Sequence, residues 1–386
     1  MLQLIRLFQQ RYEVHFASSA SKSEYSYALN ESGITEHPIL LNDSSFDHFV
    51  EALQPDIVIF DRFMIEEQYG WRVAKHCPQA LRILDTEDLH FLRTARLEAY
   101  RKNSPIDIHS DMALREIASI YRSDLSLIIS EAEMRCLKNE FHIDDKLLHF
   151  LPFTENPISE EQQASRLPFE ERKDFVFIGN FIHEPNWKTV EVLKNVIWPR
   201  LRQALPHAEL HIYGAYAPQK ALQLHKPAER FWIKGRADDA RSTLERYRVL
   251  LAPIPVGAGL KGKFVDAMSS GTPTVSSTIG AEGMARENLW NGYITDDEED
   301  FVHKAVTLYQ DRTAWIQAQQ NGYMLFNSSF ANHPNASGLL DRCDGLHNHI
   351  DMHRRQNFIG RMLQHHSMQS TRYMSLWIEE KNKKAY

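Results

Sequence analysis

"GAGLKGKFVDAMSSGTPTVSS" (257–277) opens with glycines and two lysines, runs into a short apolar helix pattern, and closes on a Gly-Thr-Pro turn before a β-branched strand. Gly257 and Gly259 permit backbone angles closed to other residues and let N–H groups approach a ligand closely. The helix expected from about Leu260–Gly262 directs its positive end at the same loop, which favours an anion. Lys261 and Lys263 add charges suited to phosphate. Asp266 lies one turn further on, where it can accept hydrogen bonds from sugar hydroxyls. A solvated strand–helix turn with two surface lysines accounts for the composition equally well. The loop has neither the Gly-Lys-Ser/Thr ending of a Walker loop nor a GxGxxG pattern. Alone, it leaves both readings open.

The segments around it set the fold class. Strands are predicted at 174–180, 209–214, 231–235, 248–254 and 272–278, with a long helix at 186–205 bounded by Asn186 and Pro206. Upstream, β-rich runs at 12–18, 37–42, 56–61, 81–86, 125–130 and 147–153 alternate with apolar-periodic helices at 46–53, 64–76 and 88–103. Such alternation predicts parallel sheets covered by helices on both faces. The polar stretch 154–172 reads as a linker, and beyond about 296 the pattern is helical, with breaks near 326–337 and at Gly360. The reading is α/β: two doubly wound, Rossmann-like domains, 1–153 and 173–326, with a helical tail at 327–386.

Composition narrows the classes. The chain of 386 residues carries 44 Lys+Arg against 51 Asp+Glu, a net charge of −7, which argues against a general nucleic-acid binder. Three cysteines (77, 136 and 343) without a CxxC pair read as reduced thiols and a cytoplasmic protein. No apolar run approaches the roughly 20 residues that span a bilayer. The N-terminal stretch reads as an amphipathic helix, 2–11, without a cleavage site. His349 and His353 are spaced i,i+4 on one helix face, yet with His347, His365 and His366 they have no Cys partner or HExxH and lie in a polar tail, so they read as solvated and no metal is expected. Trp377 and Ile378 are expected to pack, and Arg354 and Arg355 are candidates for peripheral contact with membrane phosphates.

"FVFIGNFIHEPNWKTVEVLKNVIWPRLRQALPHAELHIYG" (175–214), "FWIKGRADD" (231–239) and "LLAPIPVGAGLKGKFVDAMSSGTPTVSSTIGAEGM" (250–284) together resemble, in order, the donor half of GT-B glycosyltransferases, above all the retaining enzymes of family 4. "LRILDTEDLHFLRTAR" (81–96) and 114–137 resemble the acceptor half more loosely. The resemblance implies two domains facing a cleft, a tail that crosses back to the first domain, and transfer of a sugar from a UDP- or GDP-sugar with no obligatory metal or cofactor. The acceptor would be a glycan or glycolipid. The diphosphate would be held by Gly257, Gly259, Lys261, Lys263, Gly179 and Asn180, and the ribose and sugar by Asp266, Glu282 and Gly283. His90 and Asp88, with Asp85 and Glu87, follow a strand at its carboxyl end and are the catalytic and acceptor candidates. Asp88 also reads as the N-cap of 89–103.

Three departures accompany the resemblance. Ala258 stands where many members have a glutamate. Asn180 replaces a common arginine, for which Lys188 or the lysine pair would compensate. The family's first strand would precede the helix at 2–11, so the first sheet is expected to have a gap. An alternative class therefore stays open: a degenerate transferase-like module that binds a nucleotide sugar or a protein partner without turnover. A nicotinamide oxidoreductase is disfavoured, because neither half opens with a glycine fingerprint.

Overall fold

The computed structural model describes residues 1–22, 26–286, 289–331 and 334–383, apart from the side chains at 366–369. It forms two compact α/β units: Met1–Phe91 with His109–Leu151 and Pro334–Tyr386, and Leu92–Ile108 with Pro152–His333.

In the first unit, β1 (His15–Ser18) and β2 (Thr35–Pro38) form one parallel pair. β3 (Ile57–Asp61), β4 (Leu81–Asp85), β5 (Leu125–Ile128) and β6 (Leu148–Phe150) form a separate parallel sheet in that order. A continuous doubly wound sheet would join the two, so the strands divide where the gap was expected. β4 and β5 are buried almost without alternation, as strands covered on both faces are, with Arg82 and Ser126 buried beside Leu81, Ile83, Leu84 and Leu125. The helices after Pro334 pack here: Leu339, Leu340 and Cys343 share a core with Leu4, Leu7 and Phe8 of the Leu2–Phe8 helix.

The second unit holds one six-stranded parallel sheet. Its strands are β7 (Lys173–Ile178), β8 (Leu210–Tyr213), β9 (Phe231–Gly235), β10 (Tyr247–Ala252), β11 (Thr274–Ser276) and β12 (Gly292–Ile294). Their order is β12-β11-β10-β7-β8-β9. The chain builds outward from β7 in one direction through β9, then returns to lay β10 on β7's other edge, with Leu250 beside Val176. The winding therefore reverses between β7 and β10. The long helix after β7 runs Glu184–Ala204 with a π-helical turn at Leu193–Ile197, and buries Trp187, Leu193, Trp198 and Leu201 against the sheet core.

Several expectations change in detail. β12 went unpredicted, being three residues long. Gly360 lies inside the Phe358–Lys383 helix, and the break falls at Asn357 instead. Trp377 is 61% exposed, whereas Ser375 and Glu379 face inward. His353 is buried and faces the Asp124 carbonyl at 2.8 Å, so it is not a solvated histidine. The His366 side chain lies outside the described residues. No described helix is long and apolar enough to cross a membrane.

Candidate functional site

Ligands of open α/β sheets gather outside the carboxyl ends of the strands where the winding reverses. In the second unit that place lies beyond β7 and β10. Gly179 and Asn180 leave β7, and residues 253–261 leave β10 to enter the Gly262–Ser269 helix. The sequence-predicted diphosphate residues thus sit on two neighbouring strand ends, brought together by one residue the sequence reading had named only as a helix start. Asn186 donates from Nδ2 to the Asn180 carbonyl at 2.9 Å and accepts the Lys263 ammonium on Oδ1 at 3.0 Å. A Cβ on Gly179 would come within 2.6 Å of the Asn186 side chain, so glycine is required there for close approach, not for its backbone angle.

The loop itself divides the glycines. Gly259 is left-handed, with φ +63°, as expected, while Gly257 has no positive φ. Gly257 acts through its carbonyl, which accepts from Arg96 at 2.7 Å. Lys261 is buried and donates to the Gly259 carbonyl at 2.9 Å. As N-cap of the Gly262–Ser269 helix, Lys261 supplies no side-chain cap. Burial, with the Lys261 charge adding to it, pulls the Lys263 ammonium down to about 8. An arriving phosphate would reverse that cost. Lys188 pairs with Glu191 at 2.7 Å.

The rest of the quoted stretch is packing. Gly271 turns the chain with φ +63°, and a Cβ there would lie 2.1 Å from the Tyr323 hydroxyl. Buried Arg172 donates to Thr272 Oγ1 at 2.9 Å and the Ser270 carbonyl at 2.8 Å, fixing the Gly-Thr-Pro turn.

The two carboxylates assigned to ribose and sugar each hold an arginine. Asp266 accepts from Arg241 Nε at 2.9 Å, and Arg241 also reaches Glu155 at 2.8 Å. Burial raises the Asp266 carboxyl above its ordinary value, opposed by Arg241. Glu282 is gripped by both terminal nitrogens of Arg96 at 2.7 and 2.8 Å. One guanidinium therefore ties Gly257, in the loop after β10, to Glu282, at the end of the Thr278–Ala281 helix. Gly283 follows with φ +73°. Ala258 is buried, and no carboxylate stands at its position.

In the first unit, the carboxyl ends of β3 and β4 carry a second cluster. Arg62 and Glu87 both adopt left-handed backbone angles, φ +72° and +58°, which cost energy for non-glycine residues and concentrate at functional sites. Arg62 forks onto Asp61 at 3.0 Å from both Nε and a terminal nitrogen. Burial, reinforced by the Glu87 charge, pushes the Asp85 carboxyl up to about 7. His90 is buried, its Nε2 3.4 Å from Asp88 Oδ1 and its ring edge-on to Phe63 at 5.5 Å. The helix His90–Lys102 receives caps from distant carboxylates: Glu133 takes the Leu89 N–H at 2.9 Å, and Glu116 takes those of His90 and Phe91 at 3.1 and 2.8 Å. Burial lifts Glu116 to about 8, opposed by those two N–H groups.

Comparison with known proteins agrees with this geometry. Residues 172–311 match the family described as Glycosyl transferases group 1. No curated protein matches the chain. Among solved structures, a mutant of S. aureus TarM in complex with Fondaparinux, alpha-GlcNAc-glycerol and UDP shares 14% identity at a TM-score of 0.60, over 78% of this chain and 58% of TarM. This chain therefore spans less than two thirds of that protein. HepE of Anabaena, in complex with UDP and glucose, shares 14% identity at a TM-score of 0.63 over 88% of this chain and 94% of its own. Sucrose-phosphate synthase of Thermosynechococcus elongatus shares 13% at 0.66 over 89% and 91%. At such identities the likeness is one of fold: two parallel α/β units with a helical C-terminal region, as in these GT-B glycosyltransferases.

Proposed function

We propose that the chain transfers a sugar from a nucleotide-diphosphate donor, a UDP- or GDP-sugar, to a glycan or glycolipid acceptor, with retention of configuration as in family 4. The observation that carries this is the joining of the β7 and β10 strand ends through Asn186 and Lys263 at the reversal of the winding. The match of residues 172–311 and the UDP bound by proteins of similar fold support it. In this reading the diphosphate lies against the start of the Gly262–Ser269 helix, where Lys261, Lys263 and the backbone N–H groups offset the charge of the leaving group. Asp266 turns from Arg241 toward the ribose, and Glu282, oriented by Arg96, faces the sugar. Arg62, Asp85, Asp88 and His90 serve the acceptor. His90 and Asp88 are the catalytic candidates, and the site works without a metal.

Three cysteines without a CxxC pair fit a cytoplasmic protein, with the inner face of a membrane as one place of work. Ala258 favours a second reading, a module that binds the nucleotide sugar without turnover. A titration of UDP and GDP separates the first step, and a transfer and hydrolysis assay with the matching nucleotide sugars separates the second. Binding in the micromolar range with turnover supports the enzyme. Binding without turnover over a broad acceptor set supports the module, and no binding of either nucleotide overturns both.

A further inference from the structure

A cavity of about 440 Å³ opens in the first unit, lined by Arg82, Arg122, Arg354, Arg355, Arg361 and Gly360 among others. It contains none of the residues assigned to the donor or acceptor, and it includes Arg354 and Arg355, the pair the sequence offers for contact with membrane phosphates. Its charges can be counted. Arg122 is neutralised by Glu66, whose Oε1 accepts from Nε at 3.0 Å. Asp124 accepts from Arg354 Nε at 2.8 Å and from a terminal nitrogen of Arg354 at 2.7 Å. Asp351 is the other acidic residue of the lining. Five arginines against Asp124, Asp351 and Glu66 leave a local charge of +2 in a chain whose net charge is −7.

Two features distinguish this cavity from a solvated patch. Arg82 is only 5% exposed, yet its Nε has no hydrogen-bond partner, and its nearest ion pair is Asp124 at 3.5 Å. A guanidinium carries five donors in a fixed fork, so a buried Nε that faces Asp124 only at 3.5 Å leaves a donor open to a further anion. Arg355 and Arg361, both exposed, have no ion-pair partner among the described residues. Gly360 lies in the first turn of the 26-residue helix Phe358–Lys383, where its N–H donates to Asn357 Oδ1 at 2.9 Å. Burial, partly offset by Asp124, pulls the Arg82 guanidinium below its ordinary value, a cost that a bound anion would relieve.

We infer that this cavity binds a phosphate-bearing anion, with Arg82 at its buried end and Arg355 and Arg361 at its exposed side. Guanidinium forks match phosphate oxygens in geometry as well as charge. The phosphate can belong to a soluble metabolite or to an anionic lipid headgroup. Exposed Phe358, Ile359 and Met362 on the adjoining helix would enter a bilayer only in the second case.

The test uses the full chain and the double variant Arg355→Ala/Arg361→Ala, titrated with inorganic pyrophosphate and, separately, with vesicles containing phosphatidylglycerol. The expected result is saturable binding weakened at least about tenfold in the variant, roughly 1.4 kcal/mol. Loss confined to the pyrophosphate arm assigns a soluble ligand. Loss confined to the vesicle arm, shared by Phe358→Ser, assigns a lipid. Parent and double variant are compared in a Lys263→Ala background, which removes the proposed donor site's diphosphate contact, and there Arg372→Ala and Lys381→Ala, charge changes on the same helix, must each leave the binding nearly unchanged. Absence of binding in both arms, or an equal loss in either control, overturns the inference. UDP affinity, measured on the same variants, tests the donor site independently.

Discussion

Two helices in this molecule begin beyond the carboxyl end of a parallel strand, and their first turns are treated in opposite ways. His90–Lys102, after β4, has Glu116 and Glu133 from other helices placed on its leading N–H groups. Gly262–Ser269, after β10, has no side-chain cap from its own N-cap, and two lysines beside it. The local geometry is similar, and both positive ends demand an anion. One receives acceptors from the fold, the buried carboxyl groups of Glu116 and Glu133. The other is furnished to receive an anion from outside. A helix N-terminus thus marks a binding site only when the protein has not already filled it.

The comparison can be broken most severely at Glu116. Glu116→Ala leaves two buried N–H groups without acceptors and is expected to cost roughly 2–4 kcal/mol of stability, read from the urea midpoint. Glu116→Gln, keeping one acceptor, should cost less. A neutral Ala variant would mean that the carboxylate is not the cap.

At the other helix the effect belongs to binding. Lys263→Ala is expected to weaken UDP affinity by about 10–100-fold while the urea midpoint changes little, because a charge-assisted contact to phosphate is worth about 1.5–3 kcal/mol. Equal affinity in variant and parent would remove Lys263 from the site.

The pH dependence sharpens the same point. The free protein's Lys263 ammonium is drawn from 10.5 to about 8, and bound diphosphate favours its charged form. Affinity for UDP should therefore be full below pH 8 and fall as pH rises through it. In Lys263→Arg the fall should vanish from that range, since guanidinium stays charged. A pH-independent affinity in the parent protein would contradict the assignment.

The smallest effect is expected at Arg96. Its pair with Glu282 is partly exposed and worth at most about 1 kcal/mol to stability. Arg96→Ala should weaken UDP binding only a few-fold by loosening Gly257, with the larger change in sugar turnover through Glu282. A loss as large as that of Lys263→Ala would make Arg96 a direct ligand.

Much of this was legible in the residues themselves. Five of the six strands of the second unit were legible as β-rich runs, most plainly β7 and β10, where Phe175, Val176, Phe177, Val249, Leu250 and Leu251 are fully buried, and Gly259 occupies the left-handed position its loop required. What failed to show was distant in sequence or carried by few residues. Arg96 and Glu282 are 186 positions apart, and nothing near either announces the other. Asn186 read as a helix start, since its contact with Lys263 depends on β10 lying beside β7. Trp377 was expected to pack because tryptophan usually does, yet the packing face of its helix is set by Ser375 and Glu379. Arg241 on Asp266 had no local signal either.

The return of the last helices to the first unit has a consequence for how the chain is made. Arg11 pairs with Asp341 at 2.9 Å and Asp344 at 2.5 Å, and Arg354 grips Asp124, partners separated by more than 200 residues. Most of the second unit lies within the stretch Pro152–His333 and is synthesised without interruption. On the ribosome it can close while the first unit still lacks Leu339, Leu340 and Cys343 from its core. The amino-terminal half, though first to emerge, is the last to be finished, and its unfilled apolar surface is where synthesis is most exposed to misassembly.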